Sequence, residues 1–217
     1  MKRIMLVLLC ALSSCSTIKN TAINKESSNV VLTQKEREFL VITLKASFDK
    51  FENAIKSLSE TQLNFKINDK KWAIKECIEH VTLAELRFPG IVKEEMTKPS
   101  SPENRNKIKI KDEKIRPRML SRIWKARSPE VFKPTGKFEN TQEAIKTFKS
   151  QRLKTIQYIE TTEDDLRNHF WRHPLTGTID LYQTLILMSA HLERHVEQME
   201  NIKKVEAFPK TSLSSNH

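Results

Sequence analysis

Apolar residues recur at steps of three and four along four long segments of the chain. This spacing places them on one face of an α-helix. The first segment opens with Thr33 and Glu36, the pattern of a capping box at a helix start. The pattern therefore predicts four amphipathic helices that share one core. They cover about residues 33–59 and 73–96, a stretch that begins at residue 140, and about residues 179–203.

Proline and glycine mark the breaks between these helices. Pro89 and Gly90 predict a kink or an end within the second helix. Residues 98–136 contain five prolines and predict an irregular stretch, with a short helix near residues 119–124. Residues 173–178 predict a loop, and no segment shows a convincing alternation of apolar and polar positions. The predicted fold class is all-α, a four-helix bundle.

The composition agrees with one soluble helical domain. The chain has 217 residues, of which 38% are hydrophobic, 30% are charged and only three are glycine. A length of this size suits a single domain with a tail at each end. We expect the bundle to occupy residues 33–206 and a disordered tail to occupy residues 207–217.

The net charge of +11 raises the question of a nucleic-acid partner. The basic residues are spread along the chain and interleaved with acidic ones, and the densest run lies in the irregular region. No nucleic-acid recognition motif accompanies them. The charge therefore predicts a solvated lysine-rich surface and no nucleic-acid partner.

The amino terminus resembles a bacterial lipoprotein signal. Lys2 and Arg3 precede a nine-residue apolar run that is too short to span a bilayer. The run closes on Leu-Ser-Ser-Cys, the box in which the cysteine is lipidated, here Cys15. We expect residues 1–14 to be removed and residues 15–32 to form a flexible tether. An ordinary cleaved signal is the alternative.

This processing decides the role of the three cysteines. Cys10 would be lost with the signal, and acylation would consume Cys15. Only Cys77 would remain as a thiol, so we expect no intramolecular disulfide. The protein is predicted to be exported and lipid-anchored to the cell envelope.

Three histidines stand at positions suited to a metal. His191 and His195 are four residues apart on the predicted last helix, and helical residues at that spacing share a face. His80, on the second helix, would complete a three-histidine site with an open position. A lone histidine on an apolar face is more often a hydrogen-bonded core residue, and that alternative stays open.

The motifs around these histidines resemble a known family. They are WAIKE at residues 72–76 leading to His80, HPLTG at residues 173–177, and RHVEQ at residues 194–198 after His191. In this order they are similar to the DinB/YfiT-like superfamily over roughly residues 33–204. The resemblance implies a four-helix bundle with a divalent metal held by His80, His191 and His195.

The resemblance also implies a class of function. Members of the superfamily include metal-dependent hydrolases and thiol S-transferases that use low-molecular-weight thiols. The expectation is a hydrolase that activates water on zinc or nickel, with iron or manganese as further candidates, and acts on a small-molecule substrate. A non-catalytic, metal-containing envelope protein is the alternative. A thiol transferase ranks lower, because its thiols are cytosolic. A homodimer is left open.

Five further residues near the predicted site stay ambiguous in the sequence. Glu76 and Glu193 are candidate general bases, although surface charges are the simpler interpretation. Cys77 is a candidate fourth ligand or a small core residue. His173 either lines the pocket or orders its loop, and His169 has no informative context.

Overall fold

Four long helices form the body of the protein in the computed structural model, which describes residues 31–121, 123 and 129–210. Short helices and a small hairpin connect them. In chain order the helices are α1 (Gln34–Ile55), α2 (Glu60–Asn64), α3 (Ile74–Met96), α4 (Asp112–Leu120), α5 (Thr141–Thr161) and α6 (Leu181–Lys203). The predicted four-helix bundle is confirmed.

The ends of the helices follow local chemistry. The capping box at the start of α1 is confirmed, because Thr33 Oγ1 accepts the Glu36 N–H and the Glu36 carboxylate accepts the Thr33 N–H. Helix α1 ends at Ile55, earlier than predicted. Ser57 has a φ of 58°, a left-handed conformation that interrupts the helix, and Ser59 then caps α2.

The packing order places the two histidine helices side by side. Helix α1 packs against α5 and α6, and α3 also packs against α5 and α6. The order around the bundle is therefore α1, α6, α3, α5. Because α3 and α6 are neighbours, a residue on one can meet residues on the other near the middle of the bundle.

Of the two outcomes predicted at Pro89, a kink or an end of the helix, the end is wrong. Helix α3 runs without interruption from Ile74 to Met96 and contains Pro89 in its interior. Proline removes one backbone hydrogen bond. The burial of Phe88 and Ile91 on either side anchors both halves of the helix to the same core.

A small hairpin accompanies the helices, although the sequence shows no convincing alternation of apolar and polar positions. Strands β1 (Phe170–His173) and β2 (Gly177–Asp180) form an antiparallel hairpin. Each has only four residues, too few for alternation to stand out in the sequence. The predicted loop contains the turn of this hairpin, residues 174–176, and Gly177 at its end has a positive φ of 76°, which glycine adopts without strain.

The irregular region between α3 and α5 contains more helix than expected. Helix α4 covers Asp112–Leu120 and begins seven residues before the short helix that the sequence predicts near residue 119. It packs along α6. Two 3₁₀ turns, Pro102–Lys107 and Glu130–Phe132, flank it. The second of these reaches the histidines.

The last described residues of the chain pack against the bundle. Residues 207–210, expected to belong to the tail, contact the bundle: Phe208 packs edge-on against Phe65, and Gln62 donates to the Pro209 carbonyl at 2.9 Å. Residues 1–30, with Cys15, and residues 211–217 lie outside the described residues. No helix in the described ranges is both long enough and apolar enough to cross a bilayer.

Candidate metal centre and its cavity

The three predicted histidines meet in space. His191 and His195 lie one turn apart on α6, and His80 faces them from α3. One ring nitrogen from each lies within 4.8 Å of the others. The His80 ring centroid is 4.4 Å from that of His195 and 5.1 Å from that of His191. The grouping joins residues 111 positions apart in the sequence.

A backbone carbonyl orients His80. Its Nδ1 lies 2.7 Å from the carbonyl oxygen of Phe132, at the end of the second 3₁₀ turn. A carbonyl can only accept, so Nδ1 carries the proton and Nε2 keeps a free lone pair. That Nε2 lies 3.2 Å from Nε2 of His191. Metal-binding histidines are commonly oriented in this way, through a hydrogen bond from the other ring nitrogen.

The loop that supplies this carbonyl is itself held by α3. The Glu79 carboxylate accepts the backbone N–H groups of Thr135, Gly136 and Lys137 at 2.9, 3.1 and 2.9 Å. Gly136 has a φ of 75°, which glycine adopts without strain. Glu79 therefore ties the segment after Phe132 to the turn of helix that carries His80.

Burial keeps the three imidazoles neutral. It lowers the pKa of His80, and it lowers the pKa values of His191 and His195 well below their usual range. Positive charge on Arg194 and on neighbouring protonated histidines lowers the pKa values of His191 and His195 further. Neutral imidazole is the form that binds a metal.

The donor set fits a divalent ion. Nδ1 of His195 is a buried polar atom with no hydrogen-bond partner among the described residues. Buried polar atoms are nearly always paired, so an unpaired ring nitrogen on one of the three clustered histidines fits a group of metal ligands. Nitrogens bound to one tetrahedral zinc ion lie about 3.3 Å apart, given bonds of about 2.0–2.1 Å. The 3.2 Å between His80 and His191 matches this value.

The histidines line a cavity of about 570 Å³. This volume lies within the range of small-molecule sites. The hairpin closes one side of the cavity, because Trp171 is fixed by a 2.6 Å hydrogen bond from its Nε1 to Thr184 on α6. The apolar part of the wall includes Trp72, Phe88, Ile91, Phe132, Trp171 and Leu175.

Neither glutamate proposed as a general base lines the cavity. Glu76 accepts the Ala73 N–H at 2.7 Å and closes the start of α3. Glu193 is buried, not a surface charge, and it pairs with Lys50 at 2.7 Å and Arg116 at 2.5 Å. Burial alone would raise the pKa of Glu193, but hydrogen bonds from these two cations outweigh it and lower that pKa. Both carboxylates are structural.

Cys77 and His169, which the sequence left ambiguous, lie outside the cavity. Cys77 is fully buried in the core and is not part of the histidine group. His169 is also structural, with its two ring nitrogens 2.8 Å from the Asp165 carbonyl and 3.0 Å from the Lys98 carbonyl. Neither residue lines the cavity.

His173 has both of the roles considered for it. It lines the cavity, and its Nδ1 accepts the Leu175 N–H at 3.3 Å while lying 3.2 Å from Thr176 Oγ1. Nδ1 is therefore unprotonated and the ring proton is on Nε2. Burial lowers the pKa of His173 to about 4, so the ring is neutral at pH 7.

Two contributors to the site were not identified as such from the sequence. The Phe132 carbonyl comes from an irregular, proline-rich stretch, and a main-chain oxygen has no residue-type signature. Arg194 lies between the two histidines of α6, and its Nη1 donates to the carbonyls of Met119 at 2.8 Å and Ser121 at 2.9 Å. These contacts tie the end of α4 to the cavity.

Fold and site together define a helical-bundle protein with a three-histidine cluster on two neighbouring helices. The sequence profile of the DinB superfamily matches residues 43–199, nearly three quarters of the chain, and the chain belongs to that family. The predicted family is thus confirmed.

Two relatives extend the comparison. YuaE of Bacillus subtilis strain 168, an uncharacterized protein, is 23% identical over 152 residues, which cover 70% of this chain and 90% of YuaE. The structure of YfiT from Bacillus subtilis aligns with a TM-score of 0.51 at 15% identity, over 79% of this chain and 88% of YfiT. YfiT is described as a probable metal-dependent hydrolase with an unusual four-helix bundle topology. At this identity the likeness concerns the fold.

Proposed function

We propose that this protein is a metal-dependent hydrolase that acts on a small molecule in the 570 Å³ cavity. The observation that carries the proposal is that three neutral imidazoles meet at the wall of that cavity. They form the only cluster of His, Cys, Asp or Glu side chains with metal-binding geometry among the described residues. The description of YfiT as a probable metal-dependent hydrolase supports it.

His80, His191 and His195 would hold the ion. A divalent ion such as Zn²⁺ lowers the pKa of a bound water to about 7 and so supplies hydroxide at neutral pH. A separate carboxylate base is then not required, which suits a cavity whose described lining contains none. His173 keeps its proton on Nε2, the nitrogen that the hairpin turn leaves free, and can donate a hydrogen bond to a substrate carbonyl oxygen.

The same lack of a carboxylate favours a second candidate, a metal-containing protein that binds a ligand without turnover. General acid–base catalysis by a positioned side chain contributes about 10²–10⁴-fold to many enzymes. A site without such a group can still bind. Thiol transfer has no observation of its own in its favour and ranks third.

The proposed location of the mature protein is the cell envelope. We infer from residues 1–15 that the mature protein is exported and attached to the cell envelope through a lipid on Cys15. The cavity would then meet substrates outside the cytoplasm.

The test uses untagged protein, so that no added histidine binds metal. Elemental analysis should find about one divalent ion per chain after desalting. His80→Ala, His191→Ala and His195→Ala should each lose that ion while circular dichroism stays helical. Metal-loaded protein should hydrolyse members of a panel of small esters and amides, and the three variants should not.

The outcomes separate the candidates. Stoichiometric metal without turnover of any substrate would favour the binding protein. A chain that retains no stoichiometric zinc, nickel, iron or manganese would end both metal-based proposals. Turnover that persists in all three variants would show that hydrolysis is independent of the cluster.

A further inference from the structure

The charged residues that line the cavity all have one sign. They are Lys70, Lys71, Arg87, Arg172 and Arg194, and no Asp or Glu is among the described lining residues. The chain as a whole contains 27 acidic residues. A cleft lined by one sign of charge has a focused potential that attracts ligands of the opposite sign.

Three acidic residues that are close in sequence to the ligand histidines bind groups outside the cavity. Glu76 binds the first turn of α3, Glu79 binds the loop after Phe132, and Glu193 pairs with cations outside the cavity. None of the three lines it. The positive charge of the lining is therefore not balanced by carboxylates within the described lining.

The cations occupy different depths. Arg194 is partly buried and lines the cavity with the histidines, and its guanidinium is held by the carbonyls of Met119 and Ser121. The other four are exposed and form a basic rim, within which Arg87 also contacts Glu94 at 3.4 Å. A ligand in the cavity meets charge at its mouth.

The wall between rim and histidines is apolar. Phe88 lies edge-on to His191 with ring centroids 6.0 Å apart, and Trp72 lies 4.9 Å from His80. Trp171 and Leu175 face the same space from the hairpin. Aromatic side chains of this kind bind an apolar ligand body by burying its surface.

We propose that the cavity binds a small amphipathic anion, an organic acid with an aromatic or aliphatic body. Its anionic group pairs with the basic rim, and its body lies on the apolar wall beside the histidines. As a statement of substrate class this rests on the proposed hydrolase function, whereas the binding itself requires no metal.

The test compares an acid with its neutral amide in metal-free protein. The probes are 6-phenylhexanoate and 6-phenylhexanamide, which share one body and differ in charge. Calorimetry should find the acid bound about tenfold more tightly at low salt, the sum of several exposed ion pairs. The preference should shrink as salt rises, since exposed charges are screened.

Variants assign the preference to the rim. Arg172→Gln and Lys71→Gln should each weaken binding of the acid about two- to fivefold, the range for one exposed ion pair, and leave the amide unchanged. Lys154→Gln is the matched control, an exposed lysine on α5 that does not line the cavity. It should bind both probes as the wild type does.

Three results would overturn the proposal. They are equal binding of acid and amide, equal behaviour of Arg172→Gln and Lys154→Gln, and failure of both probes to bind at millimolar concentration. An acid preference that appears only after metal is restored would also overturn it, because the anion would then be a metal ligand. If no metal binds but metal-free protein still prefers the acid, the hydrolase proposal fails and this one stands.

Discussion

Replacing Glu79 with alanine should weaken metal binding although Glu79 touches no ligand atom. Its carboxylate accepts three backbone N–H groups from the loop after Phe132, and the Phe132 carbonyl orients His80. Without these bonds the loop is released and the carbonyl no longer holds the Nδ1 proton of His80. Loss of a partner behind a metal ligand typically lowers metal affinity about 10–100-fold.

The magnitude can be checked against the bonds removed. Each hydrogen bond to a charged group contributes about 1.5–3 kcal/mol, and the low end applies because this loop is exposed. Three such bonds exceed the roughly 1.4–2.8 kcal/mol that a 10–100-fold change requires. The loop is peripheral to the core, so global stability should change less than metal affinity.

The assay is competition for zinc against a chromogenic chelator, with helicity followed by circular dichroism. Glu79→Gln retains Oε1, which accepts two of the three bonds, so its affinity should lie between those of the wild type and Glu79→Ala. Glu38→Ala removes an exposed carboxylate on α1 and serves as the control. Unchanged zinc affinity in a helical Glu79→Ala protein would show that Glu79 does not support the metal ligands.

Three further predictions address stability and location. Burial holds the pKa values of His191 and His195 below the unfolded value of about 6.5, so the unfolded chain binds more protons in acid than the folded chain does. The free energy of unfolding of metal-free protein should therefore fall by about 1 kcal/mol per histidine between pH 7.5 and 5.5. Urea unfolding should show a smaller fall in the double variant with alanine at both positions. Arg152→Met should lower the free energy of unfolding by about 3–5 kcal/mol, because it leaves Glu85 buried without its partner, and adding Glu85→Leu should recover much of the loss; an undiminished urea midpoint in the single variant would contradict this. Cys15→Ala should move the protein from the membrane to the soluble fraction, and continued membrane association would place the anchor elsewhere.

The local features of the fold could be read from the residues, because they depend on neighbours in the chain. The apolar spacing located the long helices, and Thr33 with Glu36 marked the start of the first. The capping box of α6, in which Asp180 accepts the Gln183 N–H at 2.7 Å, was within reach of the same reasoning but was missed. The apolar Ile179 before it made the helix seem to begin earlier.

The polar interior could not be predicted. Arg152 is fully buried and makes two 2.7 Å bonds to Glu85, with further bonds to the Leu44 carbonyl and Ser47 Oγ. In the sequence Arg152, Glu85 and Ser47 look like ordinary helix-surface residues. Only the packing of α1, α3 and α5 brings them together, since a buried charge is stable only beside its partner.

The candidate site divides along the same line. The placement of His191 and His195 on one face of a helix follows from the sequence alone, because the helical repeat sets that geometry within four residues. The packing of the helices is needed for the rest: His80 faces the other two histidines, a carbonyl 52 residues away fixes its tautomer, and the charged residues of the cavity lining are basic. Those arrangements depend on which helix faces meet and on where an irregular loop lies, and neither is encoded in local spacing.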